Sequence, residues 1–286
     1  MDRLAARLES RSLVKFILGL TNFDLPEIRF LTQVYTLAGA DIIDVAAEPA
    51  IVATARQAMA DIGRQLPSLK DRPAIMVSTA LAHDPHIEGV AIPAAYRPAV
   101  APANTAELTA GVEACLEQGA EMVELHASDS DDGALEAAVE AVHPLLGARY
   151  LSVCLGTQGR RSPRQVLRQA KIAEEVHGRH TMIQAEGLTA TRRADPFSSL
   201  PGLALAQALL AYTSAYVLVA GGANLWTRNL AETLGVGVHG VASGTYARDL
   251  VRRFQAAEPQ DVQWEPLARV AGAFVAQLRG SSGGHV

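Results

Sequence analysis

Lys15 interrupts the apolar run Leu13–Leu18, and the chain holds only two other lysines, Lys70 and Lys171. A buried amine beside a carboxylate serves as an acid/base or condenses with a carbonyl to an imine. Asp44, in Ile42-Ile-Asp-Val-Ala, supplies such a carboxylate from a second apolar run. Glu124 and His126 alternate in Val123-Glu-Leu-His-Ala, so on a strand they share one face, and Glu186 closes Gln184-Ala-Glu-Gly187. These five residues form the catalytic candidate set. An internal salt bridge that fixes the fold is the competing role for Lys15 and Asp44. His126 also suits a helix cap, alongside Ser128 and Asp129. Ser152 and Cys154 alternate on a further run and, lacking a base partner, read as small core residues.

A second chemistry is written in glycine. Tyr216-Val-Leu-Val-Ala-Gly-Gly-Ala-Asn224 and Gly237-Val-His-Gly-Val-Ala-Ser-Gly-Thr-Tyr246 are apolar runs that end in glycine turns, with a helix-like segment between them. Without a Cβ the backbone N–H groups of such turns approach an anion, and a helix N-terminus adds its dipole. Gly221, Gly222, Asn224, Ser243, Gly244 and Thr245 are therefore the candidates for holding a phosphate, whether of a substrate or of a cofactor. Gly222→Asp is expected to abolish binding while leaving the fold largely intact. Arg192 and Arg193, after Glu186, are two further cations suited to an anionic ligand. No metal site is expected: His83-x-x-His86 has weak spacing and no cysteine nearby.

Positioning these residues requires a parallel sheet. Strand and helix alternate along the chain: Leu13–Leu18 with Leu25–Leu37, Asp41–Ala46 with Ile51–Ile62, Ala74–Thr79 with Thr105–Glu117, and Glu121–His126 with Ala134–Val142. Tyr150–Leu155 with Pro163–Val176, Thr181–Ala185 with Leu203–Leu210, and the two glycine-ended runs, closed by Ala247–Gln255, complete eight units. Eight β/α units favour a single (β/α)8 TIM barrel over residues 1–279, followed by a disordered tail at 280–286. Active sites of such barrels sit at the strands' C-terminal ends, and phosphate sites follow strands seven and eight. Period-two alternation puts Lys15 with Ile17 and Gly19, inside the barrel, against Val14, Phe16 and Leu18 outside. The long loop 82–104 after strand three carries Pro85, Pro93, Pro98 and Pro102 and should lie over the catalytic face.

Composition narrows the partners. The 286 residues carry a net charge of −5, which argues against nucleic acid or an anionic membrane as partner. No signal-peptide or membrane-length apolar run occurs, and two cysteines, Cys115 and Cys154, read as reduced thiols of a cytoplasmic protein. A homo-oligomer is compatible with this composition.

Ser12-Leu-Val-Lys-Phe-Ile-Leu-Gly-Leu-Thr-Asn-Phe-Asp24, Leu37-Ala-Gly-Ala-Asp-Ile-Ile-Asp-Val-Ala-Ala-Glu-Pro49, Val219-Ala-Gly-Gly-Ala-Asn224 and Gly240-Val-Ala-Ser-Gly-Thr-Tyr-Ala-Arg248 resemble the cyanobacterial light-dependent period protein A family and a related plastid-encoded reading frame. In that family the motif resembling Arg72–Ser78 and Asp84-Pro-His86 leads into a cysteine-rich insert that binds iron–sulfur clusters. Here Ile87–Asn104 holds no cysteine, so the resemblance implies the barrel and its site without an iron–sulfur cluster. Glu186-Gly187 stands where the family has Asp-Gly. Three functions fit: a lyase- or aldolase-like enzyme acting on a small phosphorylated molecule, an FMN-dependent oxidoreductase, and a non-catalytic ligand sensor.

Overall fold

The computed structural model describes residues 2–65, 71–81, 90–128, 130–156, 162–187, 195–255 and 262–280. Eight parallel strands close into a barrel in sequence order: β1 (Leu13–Gly19), β2 (Ile42–Ala46), β3 (Ala74–Ala80), β4 (Met122–His126), β5 (Leu151–Gly156), β6 (Thr181–Glu186), β7 (Tyr216–Ala220) and β8 (Gly240–Ser243). Closure is direct, with Lys15 of β1 aligned on Ile42 of β2 and on Ala242 of β8. The helices are α1 (Asp2–Glu9), α2 (Leu25–Leu37), α3 (Pro49–Gln65), α4 (Arg97–Val100), α5 (Thr105–Glu117), α6 (Asp132–Leu146), α7 (Pro163–His177), α8 (Leu200–Tyr212), α9 (Thr227–Thr233), α10 (Thr245–Arg252) and α11 (Trp264–Arg279). The fold is the (β/α)8 barrel that the alternation implies. No helix among the described residues is long and apolar enough to cross a membrane.

Local signals set the helix starts. Asp24, Asn104 and Asp131 cap α2, α5 and α6 by accepting backbone N–H groups of Glu27, Glu107 and Ala134, and Ser162 and Gln165 form a reciprocal capping box on α7. The cap of α6 is thus Asp131; Ser128 lies ahead of it, and Asp129 is outside the described residues. Of the loop 82–104, residues 82–89 are likewise outside them. Its remainder reaches the C-terminal face, where Tyr96 stacks on Phe23 of the β1–α2 loop with ring centroids 4.5 Å apart.

Three helices lie beyond the eightfold repeat, α1, α4 and α11, and the first and last of them close the N-terminal end of the barrel. The outward residues Val14, Phe16, Ile43, Val45, Ile75 and Val77 pack beneath the helices as the main core. Leu4 and Leu8 of α1 plug the opposite, N-terminal end of the lumen against Leu13, Ile42, Met76, Met122 and Met182. Asp41 fastens this end: its buried carboxylate meets Arg3 at 2.8 Å, Arg279 of α11 at 2.9 Å and Arg7 at 3.4 Å, and it accepts the Val14 N–H at 2.9 Å. Asp41→Asn keeps the shape and removes the charge that three guanidiniums share. It is expected to cost about 2–4 kcal/mol in urea denaturation, because charge-assisted bonds of about 1.5–3 kcal/mol each are weakened together.

Candidate active site in the barrel mouth

Inward-facing side chains build the lumen in layers, and the layer above the apolar plug is polar. Lys15, completely buried, donates to Glu124 Oε2 at 2.5 Å and to Gln184 Oε1 at 2.9 Å, and forms an ion pair with Asp44 Oδ2 at 2.9 Å. Ser152 donates to the same Glu124 oxygen at 2.6 Å, and Ser78 donates to Asp44 Oδ1. The structure therefore brings Lys15, Asp44 and Glu124 together, as their shared strand parity implies, and adds Gln184.

Burial by itself would push the Lys15 ammonium down, but the charges of Asp44 and Glu124 outweigh it and hold the amine above its ordinary range. Burial also raises both carboxyls. At Glu124 the Lys15 charge and the His126 contact overcome burial and hold the group well below the usual carboxylate range. At Asp44 burial, reinforced by the Glu124 charge, prevails over Lys15, so its carboxyl is raised. Two carboxylates share one lysine, and Glu124, with more donors around it, keeps its charge more firmly.

Above this layer a cavity of about 240 Å³ opens at the C-terminal face. His126, Gln184 and Glu186 line it from below, while Gly221, Gly222, Gly244, Thr245, Tyr246 and Arg248 line it from the β7 and β8 loops. Lys15, Asp44 and Glu124 do not line it. His126 Nε2 lies 3.2 Å from Glu124 Oε1, and Glu186 Oε2 lies 3.6 Å from Cys154 Sγ, so the polar layer connects upward to the cavity through these residues. Cys154, expected to be core, is fully buried but engaged in this network, with Gln184 Nε2 3.3 Å from its sulfur.

The glycine turns wall the cavity. Gly221 and Gly222 both adopt positive φ, +68° and +73°. A Cβ at Gly222 would stand 2.4 Å from the Ser198 carbonyl oxygen. Gly222→Asp therefore cannot leave this loop undisturbed, contrary to the expectation from sequence. Gly244 precedes α10, whose first turn has no side-chain cap and no acidic residue.

Asn224 and Ser243 do not line the cavity. Asn224 Nδ2 donates to the Asp195 carbonyl and to Ser198 Oγ, both at 2.8 Å, and its Oδ1 accepts the Trp226 N–H at 2.9 Å. Ser243 Oγ donates to the Ala223 carbonyl at 3.0 Å. Both brace the loops that carry the glycines. Arg248 was not singled out from sequence; it stands one helical turn after Gly244 and donates to Ile17 O at 3.0 Å and Thr245 Oγ1 at 3.2 Å. Its position within Gly-Thr-Tyr-Ala-Arg was the available signal. His83, Asp84, His86, Arg192 and Arg193 lie outside the described residues.

A family described as "Protein of unknown function (DUF561)" matches residues 1–80. Over 72 residues the chain is 46% identical to "Light dependent period A" of Synechococcus elongatus, a match that covers 25% of this chain and 20% of that protein. The family match thus spans α1 to β3, and the likeness to Light dependent period A covers a quarter of the chain. Among solved structures the chain is similar to tryptophan synthase from M. tuberculosis (TM-score 0.56, 12% identity, 97% of this chain and 96% of that one). It is also similar to a putative deoxyribose-phosphate aldolase from Toxoplasma gondii (0.55, 14%, 88% and 98%) and to octameric Rubisco from Pyrococcus horikoshii (0.55, 10%, 94% and 58%). At such identities the likeness concerns the fold.

Proposed function

We propose that the barrel mouth binds a small phosphorylated molecule, and that Glu186 and His126 act on its remainder in a lyase- or aldolase-like reaction. The observation that carries this reading is the uncapped N-terminus of α10, which opens into the cavity beside Gly221 and Gly222 with Arg248 from the same helix. An uncapped helix N-terminus with its dipole, two glycine turns and a guanidinium suit a dianion, and loops after β7 and β8 are the usual place for one. The neighbouring fold of a putative deoxyribose-phosphate aldolase accords with this ligand class. A cavity of about 240 Å³ is smaller than the ~300–1,000 Å³ of sites for drug-sized ligands, which favours a ligand of a few carbons over FMN.

Within this reading Lys15 is a positioning residue. An ammonium held by two carboxylates and an amide oxygen, with no exposure to the cavity, has no lone pair to offer a carbonyl. That same sealing favours a second reading, in which the site senses its ligand without converting it; turnover of a bound sugar phosphate separates the two. The first experiment is calorimetry with inorganic phosphate and then with three- to five-carbon sugar phosphates. Arg248→Gln is expected to weaken binding by about 10- to 150-fold, the equivalent of one charge-assisted bond of about 1.5–3 kcal/mol. Equal affinities in parent and variant would remove the phosphate site.

A further inference from the structure

Glu124, His126 and Cys154 each offer one ligand-type atom, and these three buried atoms lie within 4.8 Å of one another. We propose that these residues form a site for a zinc-class divalent cation, with Lys15, Ser152 and Gln184 as the groups that orient its ligands. Carboxylate, imidazole and thiolate with one open position make a donor set that zinc uses in catalytic sites.

The distances suit an ion. Two oxygen or nitrogen ligands of a tetrahedral zinc, each about 2.0–2.1 Å from the metal, stand roughly 3.3 Å apart, and an oxygen–sulfur pair roughly 3.5 Å apart. Glu124 Oε1 and His126 Nε2 are 3.2 Å apart, and the Cys154 sulfur lies within 4.8 Å of a ligand atom of each. Glu124 Oε1 is buried and accepts no aligned hydrogen bond among the described residues, whereas its Oε2 takes both Lys15 and Ser152. One carboxylate oxygen is thus held by the protein and the other is directed at the cluster.

Lys15 fixes a second orientation. An ammonium only donates, so Gln184 must turn Oε1 toward Lys15 and consequently its NH2 toward Cys154 Sγ, 3.3 Å away. The sulfur accepts from Gln184 and donates to Glu186 Oε2 at 3.6 Å, so an ion would replace that S–H proton, and outer donors such as Gln184 tune metal sites. His126 and Glu186 line the cavity, which gives the ion an entry path and leaves its open position facing a ligand there. The site uses no residue of the glycine turns, so it stands or falls apart from the phosphate site. It takes His126 as a ligand and leaves Glu186 as the group that acts directly on a molecule in the cavity.

The test uses the full chain stripped with chelator and titrated with Co2+ as a spectroscopic probe, then competed with Zn2+. One equivalent should bind with a thiolate-to-cobalt charge-transfer band that Zn2+ removes. Cys154→Ser should abolish the band, and Cys115→Ser should keep it. Gln184→Leu should weaken binding by about 10- to 100-fold while keeping the band, as loss of an outer-shell partner does. If Cys154→Ser loses its circular-dichroism spectrum, His126→Gln replaces it and should weaken binding by on the order of 100-fold or more. No cobalt band on the folded parent at excess ion, a band that survives Cys154→Ser, or unchanged affinity in His126→Gln overturns the site.

Discussion

Lys15→Met is expected to destabilise the protein by about 3–5 kcal/mol at neutral pH, the usual cost of removing one partner from a buried charge cluster. The substitution roughly conserves volume, so the loss comes from leaving Asp44 and Glu124 buried without their shared ammonium. In the parent, Glu124 is held below the ordinary carboxylate range, so its contribution is present above about pH 4.3 and is lost as pH falls. In the variant, burial raises both carboxyls above their unfolded values. Their charged forms are then the unfavourable ones, and the deficit relative to parent should be small below about pH 4 and grow as pH rises. Urea midpoints measured from pH 3.5 to 8 would show this divergence; parallel curves would mean that the lysine does not neutralise the pair. Lys15→Met with Asp44→Asn should recover part of the loss, with Glu124 still held by Ser152 and His126. If that double variant binds phosphate normally, Lys15 acts below the cavity and not in ligand capture.

The polar layer was partly legible because strand parity is a local property. Lys15, Asp44, Glu124 and Glu186 sit at inward positions of apolar runs, and the period of two fixes their face without any knowledge of the neighbours. Which of them touch is a matter of closure. Asp44 is on the adjacent strand and was paired with Lys15 from sequence, whereas Glu124 and Gln184 reach the amine from β4 and β6 across the lumen, a relation with no trace in spacing. Asn224 and Ser243 failed as ligand contacts for a different reason. Short polar side chains in turns satisfy nearby backbone groups, and both residues do so here. Helices α1 and α11 escaped detection because they stand outside the β/α alternation. Their task, plugging and fastening the N-terminal end through Leu4, Leu8 and Arg279, is visible only once the barrel has an end to close.

Thr245→Asp should abolish phosphate binding without weakening the fold, which separates electrostatic loss from steric damage. Thr245 opens α10 and lines the cavity, and its hydroxyl oxygen already accepts Arg248 Nη2 at 3.2 Å. A carboxylate there lies in the first turn of the helix, where it is stabilising by about 0.3–1 kcal/mol, and it can pair with Arg248. The protein would then carry its own anion where the ligand's phosphate belongs. Juxtaposed like charges cost several kcal/mol, so affinity for inorganic phosphate should fall by about 100-fold or more while the melting temperature holds or rises. Gly222→Asp should also lose binding, but with a lowered melting temperature, because its Cβ collides with the Ser198 carbonyl at a backbone angle that favours glycine. Gly222→Ala, which brings the collision without the charge, should lose stability to a similar degree. Calorimetry and thermal melts on the three variants therefore give different patterns. A folded Thr245→Asp that binds phosphate as the parent does would place the anion elsewhere in the mouth and would leave the α10 terminus without a ligand.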